Sequence, residues 1–268
     1  MKLIELFKLA SFSLLAFLSL GSLAIHAQTP APASPPVSVE QRESIEKIIR
    51  EYLVTHPEVL REAMQALQEK EEIEKQRVNA ENIEKLRSEI YADADAPVIG
   101  NAKGDVTVVV FYDYFCGYCR STIPGLTDLA TKDPGLKIIY KEFPILGPDS
   151  LTAAKASLAA DRQGKFAAFH RAMLAADAAN EQVIKSLSEK VGLDYARLKK
   201  DMADPKIDDA LARNVDLASS LSVDGTPAYL IGDKVIPGAI STEALANIIA
   251  AKRAKKEIPT VKTGAVPK

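Results

Sequence analysis

Cys116 and Cys119 are the only cysteines in a chain of 268 residues, and two residues separate them. On a helix that spacing sets the second sulfur one turn beyond the first, within reach of it. The chemistry open to such a pair is thiol–disulfide exchange: one thiolate attacks a disulfide sulfur, and the second resolves the mixed disulfide that results. Cys116 must then ionise easily. A helix N-terminus favours this, because free backbone N–H groups and the positive end of the helix dipole stabilise the anion. Gly117 is read as allowing a tight turn, and Tyr118 as offering an apolar face to a polypeptide substrate. Other readings of the pair exist. Half of a structural zinc site would need two more ligands, and beyond the first 27 residues only His56 and His170 remain, neither at ligand spacing. A structural disulfide closing a short loop is another reading. Cu(I) held at Cys116 and Cys119 is a third, a soft ion on soft ligands. No resident cofactor is expected beyond a redox-active Cys116–Cys119 disulfide.

The elements around the pair must place Cys116 where a helix starts. Val106–Tyr112 is a β-branched and aromatic run that reads as a buried strand. The cysteines follow it and open a helix to about Thr131. Leu136–Phe143 reads as a second long strand, closed by Pro144. Asp149 to about Ser220 is alanine-rich and helical, with breaks at Gly164, Gly192 and Asp204-Pro205. Thr226-Pro227 precedes a strand at Ala228–Ile231, Gly232-Asp233 turns into Lys234–Ile236, and Thr242–Ala254 closes the pattern as a helix. Pro97–Gly100 is a short strand ahead of these. The order implies an α/β fold, a mixed sheet with covering helices and a long helical insertion.

Upstream, Lys2 and Lys8, the uncharged run Leu9–Leu20 and Ala24-Ile25-His26-Ala27 read as a signal peptide cleaved after about Ala27. An uncleaved anchor is the alternative, at the short end of what spans a bilayer. Residues 28–38 read as a Pro/Ala-rich linker. Ile45, Ile48, Ile49, Tyr52 and Leu53 share one helical face, and Thr55-His56-Pro57-Glu58 reads as a capping box opening a second helix that packs Val59, Leu60, Met64 and Leu67. Glu69–Glu89 is so polar that it reads as a solvated connector. Lys255–Lys268 reads as a disordered basic tail. With a formal net charge of −2, no large basic excess exists to neutralise phosphates, so no nucleic-acid partner is expected.

Phe111–Arg120, Tyr140–Gly147 and Gly225–Tyr229 resemble, in order, three segments of the DsbA-like thioredoxin-fold oxidoreductases. The helical segment from about Val39 resembles that of the ScsC-type branch. The resemblance implies a thioredoxin-like fold over residues 92–256 with the insertion at about 149–220, preceded by a helical arm at 39–91 that drives homo-oligomerisation, and a tail from 257. It implies a cis-Pro227 facing the cysteines, with the Thr226 backbone pairing to an extended substrate. Gly117-Tyr118 and Thr226 resemble the DsbC-type isomerases more than the oxidising DsbA. Many relatives carry an acid where this chain has Val110, six positions before Cys116, so Lys141 or Glu142 on the next strand is the candidate for proton-transfer support; a strand-end ion pair is the plainer reading of both. His170 reads as a packed helix residue. The function implied is an exported, periplasmic isomerase or reductase of misfolded exported proteins served by a membrane redox partner. A dithiol oxidase, and a copper-binding or chaperone-type protein, are the alternatives.

Overall fold

The structure, a computed structural model, describes residues 38–257. The expected signal peptide, residues 28–37 of the linker and 258–268 of the tail lie outside the described residues. The chain divides into two compact units, residues 1–61 and 62–268.

In the first unit, α1 (Val39–Thr55) starts at Ser38, whose hydroxyl accepts from the Gln41 N–H at 3.2 Å while Gln41 Oε1 accepts from the Ser38 N–H at 3.0 Å. This reciprocal box satisfies two otherwise unpaired donors. None of the α1 residues is buried, and Ile45, Ile48, Ile49 and Tyr52 stand exposed. Thr55 does not cap α2 (Pro57–Lys85) as expected. Its residue is still part of α1, and its hydroxyl donates backward to the Glu51 carbonyl at 2.8 Å.

The second unit is built on a five-stranded sheet. The strands β1 (Val98–Gly100), β2 (Val106–Tyr112), β3 (Leu136–Glu142), β4 (Ala228–Ile231) and β5 (Lys234–Pro237) lie in the order β1-β3-β2-β4-β5. Only β2 and β3 are parallel, with Val106 opposite Leu136 and Tyr112 opposite Glu142. Parallel pairing needs a crossover, and α4 (Gly117–Lys132) supplies it. The insertion forms α5 (Pro148–Asp161), α6 (Phe166–Leu174), α7 (Glu181–Val191), α8 (Tyr195–Met202) and α9 (Pro205–Ser220). The predicted breaks fall between these helices: Gly192 ends α7 in the left-handed conformation, and Asp204 caps α9 with Pro205 at its first turn. The chain returns through β4 and β5 to α10 (Thr242–Glu257).

Strand alternation sends side chains to two cores. Val108, Val110, Tyr112, Ile138, Tyr140 and Tyr229 pack with Cys119, Ile123 and Leu126 of α4, with Leu245 and Ile249 of α10 and with the insertion. Val109, Phe111, Ile139 and Leu230 face the other way, onto Leu217 and Leu221, and onto Ile83 and Ile90. This second set corrects the reading of Glu69–Glu89 as a solvated connector throughout. Ile83 is 4% exposed and Ile90, in α3 (Arg87–Tyr91), is fully buried. Asn82 Nδ2 donates to the Ser220 carbonyl at 2.7 Å and the Tyr91 hydroxyl to the Gly232 carbonyl at 2.8 Å. The last turns of the expected arm are therefore part of the back-face core. Among the described residues no helix is long and apolar enough to cross a membrane.

Candidate active site

Cys116 is the N-cap residue of α4, with extended backbone (φ −75°, ψ 117°), and its carbonyl accepts the first helical bond from the Arg120 N–H at 3.0 Å. It sits there because β2 delivers the chain to the end of the sheet and Asp113 then turns it. The buried Asp113 carboxylate accepts from the Phe115 N–H at 2.8 Å and the Ser150 hydroxyl at 2.8 Å. It also accepts from the Ile145 and Leu146 N–H groups at 2.9 and 3.0 Å. One carboxylate thus joins the loop before Cys116 to the loop after β3 and to α5. Sequence reasoning assigned Asp113 no role. Arg120 adds a second brace: Nε donates to the Tyr114 carbonyl at 2.6 Å, and the guanidinium lies over the Phe115 ring, 4.9 Å from its centroid.

Both thiols are unpaired. Cys116 is 8% exposed and its Sγ–H donates to the Thr226 carbonyl at 3.1 Å. The Thr226-Pro227 bond is cis, and Pro227 is buried. Thr226 and Pro227 are thus brought to Cys116, as the resemblance implied. Cys119 is fully buried one turn along α4; burial pushes its thiol up to about 12, against smaller lowering effects from the Asp113 backbone and the Thr226 hydroxyl. The two cysteines differ as exchange requires: Cys116, at a helix N-terminus, keeps a small exposed area, whereas Cys119 is fully buried. Tyr118 is 70% exposed beside them. Gly117 is not needed for a tight turn. It is the first residue of α4, and a Cβ there would meet nothing within 4 Å, so its effect is an open surface next to Cys116.

Lys141 and Glu142 part company. Lys141 pairs in register with Phe111, on the back face of the sheet, whereas Cys119 packs on the front. Its ammonium donates to the Glu89 carbonyl at 3.0 Å and pairs with Asp93. The plainer reading, an ion pair, is the one its geometry fits, and alternation along the strand separates it from the cysteines. Glu142 pairs with Tyr112 on the front face and accepts a hydrogen bond from the Tyr112 hydroxyl. Burial raises its carboxyl to about 8. The Tyr114 hydroxyl lies 3.1 Å from that of Tyr112, 2.7 Å from Ser157 Oγ and 2.8 Å from His170 Nδ1. His170 stacks on Phe166 and packs edge-on against Tyr112, Tyr114 and Tyr140, and burial lowers its imidazole to about 3. It is the packed residue the sequence suggested. Among the described residues no group of three or more His, Cys, Asp or Glu side chains could hold a metal ion.

Known proteins resemble this chain in sequence and fold. The family model for the DsbA-like thioredoxin domain matches residues 107–250, more than half the chain. That for the copper resistance protein ScsC N-terminal domain matches residues 41–74. A thioredoxin-like oxidoreductase from Silicibacter pomeroyi DSS-3 is 40% identical, with a TM-score of 0.60 over 64% of this chain and 99% of that one. Proteus mirabilis ScsC in a transitional conformation is 27% identical, with a TM-score of 0.61 over 81% of this chain and 99% of that one. A periplasmic thioredoxin-like protein from Salmonella enterica serovar Typhimurium is 31% identical, with a TM-score of 0.59 over 63% of this chain and 96% of that one. The curated relatives are Na(+)/H(+) antiporters NhaA of Salinispora tropica and Salinispora arenicola. Each is 29% identical over 155 residues, and the chain spans only 24% of their length. The braced dithiol at a helix N-terminus beside a cis-proline suits thiol–disulfide exchange, and the chain belongs to the DsbA-like thioredoxin domain family.

Proposed function

We propose that this oxidoreductase is an exported, periplasmic protein disulfide isomerase or reductase that acts on unfolded or wrongly bonded exported proteins. A membrane redox partner keeps its dithiol reduced. The observation that carries this reading is the apolar stripe upstream of the sheet: Ile45, Ile48, Ile49, Tyr52, Leu60, Met64 and Leu67 are each about half exposed or more. Seven large apolar side chains open to water on two successive helices favour association, and the same segments of further copies are the cover that suits them. Several dithiols held around one substrate allow repeated attack until a stable pairing is reached. The Salmonella relative described as periplasmic and the leader-like residues 1–27 support export.

A second reading takes its support from the ScsC-type match at residues 41–74, a family described by copper resistance. The Cys116 and Cys119 thiolates suit a soft ion such as Cu(I).

Reactivation of ribonuclease carrying scrambled disulfides tests the main reading. The comparison is between the chain from residue 28 and one from residue 78, which drops the stripe but keeps Ile83 and Ile90. The longer chain restores activity and the shorter does not, while both reduce a small disulfide. If neither restores activity and both oxidise reduced ribonuclease, the protein is a dithiol oxidase instead.

A further inference from the structure

Thr226, whose carbonyl accepts from the Cys116 thiol, lies in the segment 221–227 that joins α9 to β4. The far end of this segment is tied to the sheet: β4 starts at Ala228, and the Pro227 carbonyl accepts from the Gly238 N–H at 2.9 Å. The near end is tied to α2. Ser220 is the last residue of α9, so its carbonyl is one of those a helix leaves unpaired, and Asn82 Nδ2 donates to it at 2.7 Å. Ser222 takes the left-handed backbone region (φ 53°), alone among the described residues other than glycine. A residue with a Cβ keeps that conformation only where its surroundings hold it. The Ser222 hydroxyl donates to Asn79 Oδ1 at 3.2 Å. Asn79 is 6% exposed, and a buried amide is costly unless it is hydrogen-bonded. Asparagine is also a poorer helix former than the Glu, Lys and Gln that fill most of this stretch of α2. Two asparagines three positions apart lie on one face of a helix, and here both bond to the same turn. Leu221 and Val223, on either side of Ser222, are buried in the core that holds Ile83. The Val223 N–H donates to the Ala218 carbonyl at 2.8 Å. Only Asp224 and Gly225 then intervene before Thr226, so little slack separates the turn held by α2 from the carbonyl that meets Cys116.

We infer that Asn79 and Asn82 are positioning residues for exchange: the end of α2 holds the turn at 220–222 and thereby keeps Thr226 in place against Cys116. The inference rests on the reading of Thr226 as the backbone that pairs with an extended substrate. The two asparagines act through the loop and not on the cysteines. A small disulfide, which needs only access to Cys116, is therefore indifferent to them. A polypeptide, which must also lie along Thr226, is not. On this account α2 serves the catalytic unit twice, through Ile83 in the back-face core and through two amides at the substrate loop. The chain that starts at residue 78 keeps both asparagines, so removing the apolar stripe and loosening the loop are separate perturbations.

The test uses the reduced full chain and two measurements. The first is amide hydrogen exchange read by mass spectrometry on fragments covering 221–228 and 106–112. The second is the rate of mixed-disulfide formation with a disulfide-bonded peptide and with glutathione disulfide. In Asn79→Ala, exchange over 221–228 quickens about fivefold, the scale of one neutral hydrogen bond, while 106–112 keeps its rate. The peptide rate falls by a similar factor and the glutathione rate does not change. Ser222→Gly removes the hydroxyl but suits the left-handed backbone, so it keeps the parent's unfolding midpoint and still lowers the peptide rate. Combined with Asn79→Ala it lowers that rate no further, because both changes break one bond. Unchanged exchange over 221–228 in Asn79→Ala overturns the inference, and so does an equal fall of the peptide and glutathione rates. Additive effects in the double variant overturn it as well. If the parent chain forms no mixed disulfide with either compound, the dithiol reading fails, and the exchange measurement alone still decides whether Asn79 holds the loop.

Discussion

Ile90→Ala measures whether the root of the arm belongs to the catalytic unit. Ile90 is fully buried against a core that includes Phe111, Ile139 and Leu217. Replacing it with alanine removes three carbons, about 2.4 kcal/mol at about 0.8 kcal/mol per buried methylene. The cavity left behind brings the cost to about 3 kcal/mol. For a unit of this size that lowers the melting temperature by about 6–12 °C. The assay is urea and thermal unfolding of the reduced full chain, followed by far-UV circular dichroism. Val215→Ala on α9 is the comparison: that side chain is 45% exposed, and its loss costs about 0.5 kcal/mol or less. An Ile90→Ala loss below about 1 kcal/mol would refute the placement of α3 in the core. It would also remove the reason for starting the shortened chain at residue 78 rather than 92.

Other expectations follow from the same geometry. Asp113→Ala leaves three N–H groups and the Ser150 hydroxyl without their acceptor; it destabilises by about 3 kcal/mol in urea titrations, with little effect on helix content. Glu142, with its folded value near 8 against an ordinary 4.5, binds more protons folded than unfolded between those values. Its contribution is full below pH 4.5 and lost as pH rises through about 8, so Glu142→Gln gains stability relative to the parent at pH 8 but not at pH 4.5. His170 works in the opposite sense: its lowered value makes stability fall as pH drops from 6.5 toward about 3, and unfolding monitored over that range shows the loss flattened in His170→Gln. Iodoacetamide labels Cys116 at least about tenfold faster than Cys119, read by peptide mass spectrometry, because the thiolate reacts and Cys119 is buried and protonated.

What the sequence made legible was what local pattern controls. β2 begins and ends at Val106 and Tyr112 as read, because a β-branched run between turn residues leaves little choice. Gly192 and Asp204-Pro205 punctuate the insertion because each acts on its own helix end. The dithiol was legible for the same reason, its two residues being one turn apart. Long-range partners were not. Asp113 looks like any loop aspartate until Ile145, Leu146 and Ser150 arrive more than 30 positions later. The end of α2 carries so few apolar residues that its polarity concealed Ile83, and only the completed sheet shows the surface it covers. Lys141 and Glu142 could have been separated by strand parity alone, since neighbours on a strand face opposite ways.

The central claim is that Cys116 is the attacking thiol and Cys119 the resolving one. The direct measurement is intact-mass spectrometry of Cys119→Ser and Cys116→Ser after each meets a disulfide-bonded polypeptide. The account predicts a stable mixed disulfide at Cys116 in the first variant and almost none in the second. Equal trapping at both positions, or trapping only at Cys119, would contradict it.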